Sequence, residues 1–218
     1  MSILEKTRNL PRAVHVTLQR YELEETDAFV AVRKWVESDE AILLLIGGVG
    51  TGKSMAAAWA VYQAPPGSRW ITSWELQTVD IYKGEFETIK QAPVLAIDDL
   101  GIEYGDNKGY FASNVDGLLS YRIAYGHKTV ITANFSKGEI ATRLGARISD
   151  RIRESGSVVA FGSESLRGKL KPTRLKFDPD DQQKRELEWA RQYWKDFGKP
   201  PGGWGFDSDG NIVPEESM

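Results

Sequence analysis

The chain has 218 residues, 41% hydrophobic and 27% charged, with a formal net charge of −3, a size that suits one substantial core plus a tail. It contains no cysteine, which excludes disulfides and thiolate metal sites and points to a reducing compartment. No apolar run approaches the roughly 20 residues that span a bilayer, and Met1 to Arg12 lacks a signal-peptide core; a soluble, cytoplasmic protein without membrane contact is expected.

Residues 1–40 read as an extended leader followed by a helix, Glu24 to Glu37, with Phe29, Val32, Trp35 and Val36 at helical spacing. Ala41 to Ile46 is a purely apolar strand. It runs into Gly47-Gly48-Val49-Gly50-Thr51-Gly52-Lys53-Ser54, and a helix follows over 53–63. Strand, glycine-rich turn and helix start together form the context of a phosphate-binding loop. Glycines let backbone N–H groups face phosphate oxygens, and the helix start adds unpaired N–H groups and a positive dipole end. Lys53 is placed to reach the β- and γ-phosphates of ATP, and the Ser54 hydroxyl to coordinate Mg²⁺.

Pro65-Pro66-Gly67 ends that helix. Arg69 to Thr72 reads as a short strand, with Ser73 as the cap of a helix carrying Glu75 and Leu76. Pro93 to Asp98 is a second apolar strand and ends in Asp98-Asp99-Leu100-Gly101. Residues 103–110 are loop-like, and 111–125 suit a helix with Val115, Leu118, Leu119 and Ile123 on one side. Thr129 to Ala133 is a third apolar strand, ending at Asn134. Ile140 to Arg153 is a helix interrupted near Gly145, and Ser157 to Phe161 is the last strand. The alternation predicts an α/β fold, a parallel five-stranded sheet with helices on both faces. Ligands of such sheets sit at the strands' carboxyl ends, where the glycine-rich loop, Asp98-Asp99 and Asn134 all fall.

Pro179 to Phe197 reads as an amphipathic helix with Leu187, Ala190, Trp194 and Phe197 on one stripe; the last 20 residues are expected to be flexible. From Asp178 onward ten acidic residues face five basic ones, whereas nine basic residues between Arg143 and Lys176 face three acids. That basic stretch suits phosphates of a nucleotide or of nucleic acid. The organisation expected is a leader and helix over 1–40, an ATPase core over 41–177, and an acidic aromatic helix and tail over 178–218.

A carboxylate at a strand end beside a phosphate loop holds Mg²⁺, the role assigned to Asp98; Asp99 is positioned to orient or deprotonate the attacking water. Asn134 is placed to hydrogen-bond that water or the γ-phosphate. Arg147 and Arg151 are four apart and share a helix face, from which an arginine can reach a neighbouring subunit's γ-phosphate.

This order of motifs resembles the AAA+ P-loop ATPases, specifically the DnaC-type helicase loaders and their relatives the IstB-type transposition ATPases, from about Leu10 to Arg167. The leader Leu10-Pro11-Arg12 through Tyr21 is similar to the segment before the family's phosphate loop. Ile97 to Gly101 (IDDLG) resembles its metal-binding motif, and Ile131 to Ser136 (ITANFS) its sensor strand with Asn134 at the sensor position. Leu144 to Glu154 resembles its arginine-finger helix, which makes Arg151 the finger and Arg147 a supporting arginine. Glu164 to Arg167 resembles a C-terminal motif that makes Arg167 a nucleotide sensor, although Ser163 stands where the family has glycine. The resemblance implies a core without a separate helical lid, self-association through the ATP sites, and a DNA channel lined by Ser73 to Gln91 and the basic face.

The function so implied is an ATP- and Mg²⁺-dependent ATPase that binds single-stranded DNA and assembles on a replicative helicase as its loader. A helix bearing Trp189, Trp194 and Phe197 is a candidate docking element for that partner, or packs back on its own core. The alternatives are an IstB-type ATPase that binds duplex DNA and recruits a transposase, a small-molecule kinase on a phosphate-loop fold, and a module that binds nucleotide without hydrolysis.

Overall fold

In the computed structural model of the chain, residues 10–11, 14, 17–18, 26–65, 67–101, 108–162, 164–167, 187–188, 191, 194–195, 198 and 204–214 are described. Strand β1 (Ile42–Gly47) is apolar at every position but its last, and it is buried on both sides. Ile42, Leu44 and Ile46 enter one hydrophobic layer, while Leu43 and Leu45 enter another. A strand with two apolar faces needs cover on both, and the parallel sheet provides it.

β1 lies between β4 (Lys128–Ala133) and β5 (Gly156–Phe161). β3 (Val94–Asp98) follows beyond β4, and β2 (Arg69–Thr72) forms the edge, giving the order β2-β3-β4-β1-β5 with every pair parallel. Helices α1 (Asp27–Val36) and α2 (Lys53–Gln63) contribute to the layer of Leu43 and Leu45. Phe29, Val32 and Trp35 of α1 are buried there, and α2 brings an alanine-rich surface, Ala56, Ala57, Ala58 and Ala60. Such small side chains bring the helix backbone close to the sheet. After β2 come α3 (Ser73–Thr78) and α4 (Gly84–Gln91). The other layer is closed by α5 (Lys108–Ala124) and by α7 (Ala146–Ser155), which follows the short α6 (Ile140–Leu144). Phe111, Val115, Leu118 and Leu119 of α5 meet Ile148 and Ile152 of α7 in that layer.

Several expectations need correction. The first helix starts at Asp27, with Thr26 at its N-cap. Thr72, not Ser73, caps α3, in a reciprocal capping box with Glu75. α4 was not anticipated. α5 begins at Lys108, inside the stretch read as loop. The break at Gly145 is real: its φ of 83° separates α6 from α7, a conformation L side chains rarely adopt. The last 20 residues are not simply flexible, since β6 (Trp204–Phe206) and β7 (Ile212–Pro214) pair as an antiparallel hairpin. Its turn is organised by Asp207, whose carboxylate accepts from the backbone N–H groups of Asp209 and Asn211 at 3.0 and 2.8 Å. Phe206 meets Trp194 edge-on, with ring centroids 5.3 Å apart. Trp189, Phe197, Tyr21, Ser163 and the basic residues between 169 and 176 lie outside the described residues. Among the described residues no helix is long and apolar enough to cross a membrane.

Candidate functional site

The strand order sets β3, β4 and β1 side by side, so their carboxyl ends form one line. Asp98 ends β3, Ala133 ends β4 just before Asn134, and Gly47 ends β1 and opens the glycine-rich loop. Register fixes the alignment: Ile97 is level with Ile131, and Ile46 with Ala133.

The loop leads into α2 without a side-chain cap, as Gly52 occupies the N-cap. Its first amides are therefore left to an outside acceptor, the usual arrangement for binding an anion. Lys53 is 4% exposed and turns back on the loop: its Nζ donates to the Gly47 and Gly48 carbonyls at 2.9 and 2.7 Å. Burial lowers its pKa, and the charges of Asp99 and Asp98 oppose that shift. Gly50 has φ 83°, and a Cβ there would lie 2.3 Å from the Ser165 hydroxyl oxygen. That close approach arises because residues 164–167 cross the loop, with the Leu166 N–H donating to the Gly50 carbonyl at 2.8 Å.

Asp98 is buried and its pKa is raised by desolvation. Hydrogen bonds from Thr132 and Ser54 partly offset that rise. The Thr132 hydroxyl donates to Asp98 Oδ1 at 2.6 Å and accepts from the Asp99 N–H at 3.0 Å. Asp99 has φ 57°, the one non-glycine positive φ among the described residues, at a typical cost of about 1–3 kcal/mol. Its surroundings hold it there: Ser73 donates to its carbonyl at 2.9 Å, and the Leu100 N–H bonds the Thr132 carbonyl at 2.8 Å. The result turns the Asp99 carboxylate away from the strand and onto Asn134, whose Nδ2 donates to Oδ1 at 2.7 Å.

The structure thus assembles Lys53, Ser54, Asp98, Asp99 and Asn134 in one place, with Arg167 beside the loop. Ser54 and Asp98 together are an all-oxygen pair suited to Mg²⁺, a hard cation. Arg147 and Arg151 stand on α7, outside this hydrogen-bonded cluster. Arg147 is exposed; Arg151 Nε donates to Asp116 Oδ1 on α5 at 2.5 Å. Sequence reading assigned no role to Thr132, to the Ser165-Leu166 crossing or to Asp116, and took Ser73 for a helix cap. Thr132 carried a signal, since a hydroxyl inside an otherwise apolar strand needs a buried partner. The others depend on contacts across 26 or more residues.

No family model matches this sequence, and no curated protein does. Solved structures match by fold. A crystal structure of DnaI aligns over 73% of this chain and 96% of its own, with 23% identity and a TM-score of 0.52. The chain has an α/β P-loop NTPase-like fold, a parallel five-stranded sheet with helices, as these neighbours do. Domain III of the Thermotoga maritima replication initiation protein DnaA aligns over 84% of this chain and 71% of its own, at 17% identity and a TM-score of 0.51. The replication initiator DnaA bound to AMPPCP and single-stranded DNA aligns over 82% of this chain and 66% of its own, at 18% identity and a TM-score of 0.53. In this chain the glycine-rich loop, the aspartate pair and Asn134 cluster at adjacent strand ends.

Proposed function

We propose that this chain is an ATP-hydrolysing switch that binds single-stranded DNA and assembles on a replicative helicase as its loader. The observation that carries the ATPase reading is the joint placement of Lys53, Ser54, Asp98, Asp99 and Asn134 at three adjacent strand ends. Lys53 and the loop amides bind the phosphates. Ser54 and Asp98 hold Mg²⁺, which would neutralise phosphate charge. Asp99 orients or deprotonates the attacking water, and Asn134 holds the Asp99 carboxylate for that task. Arg167 senses the nucleotide in the same chain, while Arg151, supported by Arg147, completes the site of a neighbouring subunit. The division into leader (1–40), ATPase core (41–177) and tail (178–218) follows this reading.

The loader role rests on the motif resemblance, and its fold-level support is the match to DnaI and to a DnaA that binds AMPPCP and single-stranded DNA. The test is the ATPase rate per subunit against protein concentration, with single-stranded DNA, duplex DNA or neither, for wild type and Arg151→Ala. The expected result is a rate that rises with concentration and single-stranded DNA and collapses in the variant while ATP still binds. A concentration-independent rate, indifferent to Arg151→Ala, would mean that one chain completes the site alone and would overturn the switch. Stimulation by duplex DNA alone would select transposase recruitment instead.

A further inference from the structure

Three arginines of the α6–α7 region form ion pairs, and one of these differs in kind. Arg143 pairs with Glu139 and Arg153 with Asp150, each within one helical turn or so. All four of those side chains are well exposed, the setting in which a pair merely decorates a surface. Arg151 instead reaches across to Asp116, 35 positions earlier on α5. The Asp116 side chain is only 15% exposed and Arg151 is 35% exposed. The two helices that carry them are locked by Val115 and Leu119 against Ile148 and Ile152, all buried in one layer.

The atoms used matter more than the pairing. A guanidinium has five N–H donors in a planar fork. Asp116 engages Nε alone, at 2.5 Å, and no described residue accepts from the two terminal amino groups of Arg151. Holding Nε uses the side-on position and leaves the end-on edge of the fork, one N–H from each terminal amino group, without an acceptor among the described residues. That edge is the part of arginine that grips two phosphate oxygens at once. A side chain with several rotatable bonds thereby arrives with its plane set, which removes an ordering cost from the binding step.

We propose that Asp116 is a positioning residue: it aims the Arg151 fork at the γ-phosphate bound by an adjacent copy of the chain. This rests on the reading of Arg151 as an arginine that acts across the subunit boundary. A misplacement of about 1 Å in such a group can lower turnover by about 100-fold.

The experiment mixes two full-length chains. The donor carries Lys53→Ala, so it has Arg151 but no working loop. The acceptor carries Arg151→Ala, so it has the loop but no finger. Hydrolysis by the mixture, absent from either alone, reports fingers acting on neighbouring sites; its absence would defeat the trans reading and the proposal with it. Given such complementation, Asp116→Asn in the donor is expected to lower the mixture's kcat about 100-fold with the KM for ATP unchanged. Asp116→Glu in the donor should recover part of the loss. The decisive comparison places Asp116→Asn in the acceptor, where there is no Arg151 to aim; the loss should follow the donor only. A donor with Asp116→Asn that works as well as its parent would overturn the positioning role. An equal loss from both placements would show that Asp116 only packs α5 against α7.

Discussion

Thr132 joins the two aspartates. One hydroxyl serves both, donating to the Asp98 carboxylate and accepting from the Asp99 N–H. Thr132→Val keeps the shape of the side chain and removes both bonds. It is expected to cost about 1–3 kcal/mol in urea unfolding, because a buried carboxylate and an amide lose their partner. Turnover should fall as Asp99 loses its hold on a left-handed backbone, and Thr132→Ser should retain most of both properties. Wild-type turnover in the valine variant would mean that Ser73, Asn134 and the backbone bond from Leu100 suffice to hold Asp99. His127 gives a pH test. Burial, and then the Arg122 charge, lower its pKa below 6.5. The unfolded chain therefore binds more protons than the folded one as pH falls below 6.5, so this group's contribution to stability declines with falling pH. Denaturant midpoints should rise with pH through that window, less steeply in His127→Asn; identical slopes would deny the shift.

At the scale of elements, the joint between α4, α5 and β4 depends on a cation that has no carboxylate partner among the described residues. Arg122, fully buried on α5, donates to the carbonyls of Ile89, Lys90 and Ala92 at 3.1, 3.1 and 2.8 Å. It also reaches the Thr129 hydroxyl and the Lys128 carbonyl. Three of those acceptors belong to the end of α4, where the helix dipole is negative and the last carbonyls have no i+4 donor within the helix; of the three, Ile89 also accepts from the Ala92 N–H. Burial pulls the Arg122 pKa down to about 9, which still leaves it charged at neutral pH. Arg122→Met fills similar space but removes the donor from these oxygens, and each one left without another partner costs about 1–3 kcal/mol. A total loss of about 3 kcal/mol or more is expected in chemical denaturation, and Arg122→Lys should not restore it, since one ammonium cannot span the same fork. A loss below about 1 kcal/mol would show that water replaces the guanidinium. Lys128 plays a similar part at the end of α1, donating to the carbonyls of Trp35, Ser38 and Glu40.

At the scale of the whole molecule, the described part of the basic stretch, Arg143 to Arg167, is less available than its composition implies. Arg143, Arg151 and Arg153 are already paired with acids of the same chain. A single subunit therefore presents three of the five described cations of that stretch already paired, leaving Arg147 and Arg167, which the proposed function assigns to the nucleotide. Each phosphate neutralised on a single strand adds about −0.7 to the slope of log affinity against log salt. Anisotropy of labelled single-stranded DNA should show a shallow slope for dilute protein and a steeper one once ATP assembles the subunits. Equal slopes below and above the assembly threshold would place the DNA site within one chain.

The strands, the helix behind the loop and the break at Gly145 were legible in the sequence, because apolar runs, glycines and spacing are local signals. So were Lys53, Ser54, Asp98 and Asn134 as a set, since a parallel sheet delivers strand ends to one side. The hairpin in the tail was missed because its pairing depends on an Asp207 turn that reads, by composition, like a flexible stretch. Only the tertiary structure decided which partner each polar group takes: Thr132 with both aspartates, Arg122 with the end of α4, Arg151 with Asp116. Sequence periodicity says which face of an element is apolar. The pairing of buried polar atoms depends on distances between elements far apart in the chain, and it is settled only when the sheet order and helix packing bring them together.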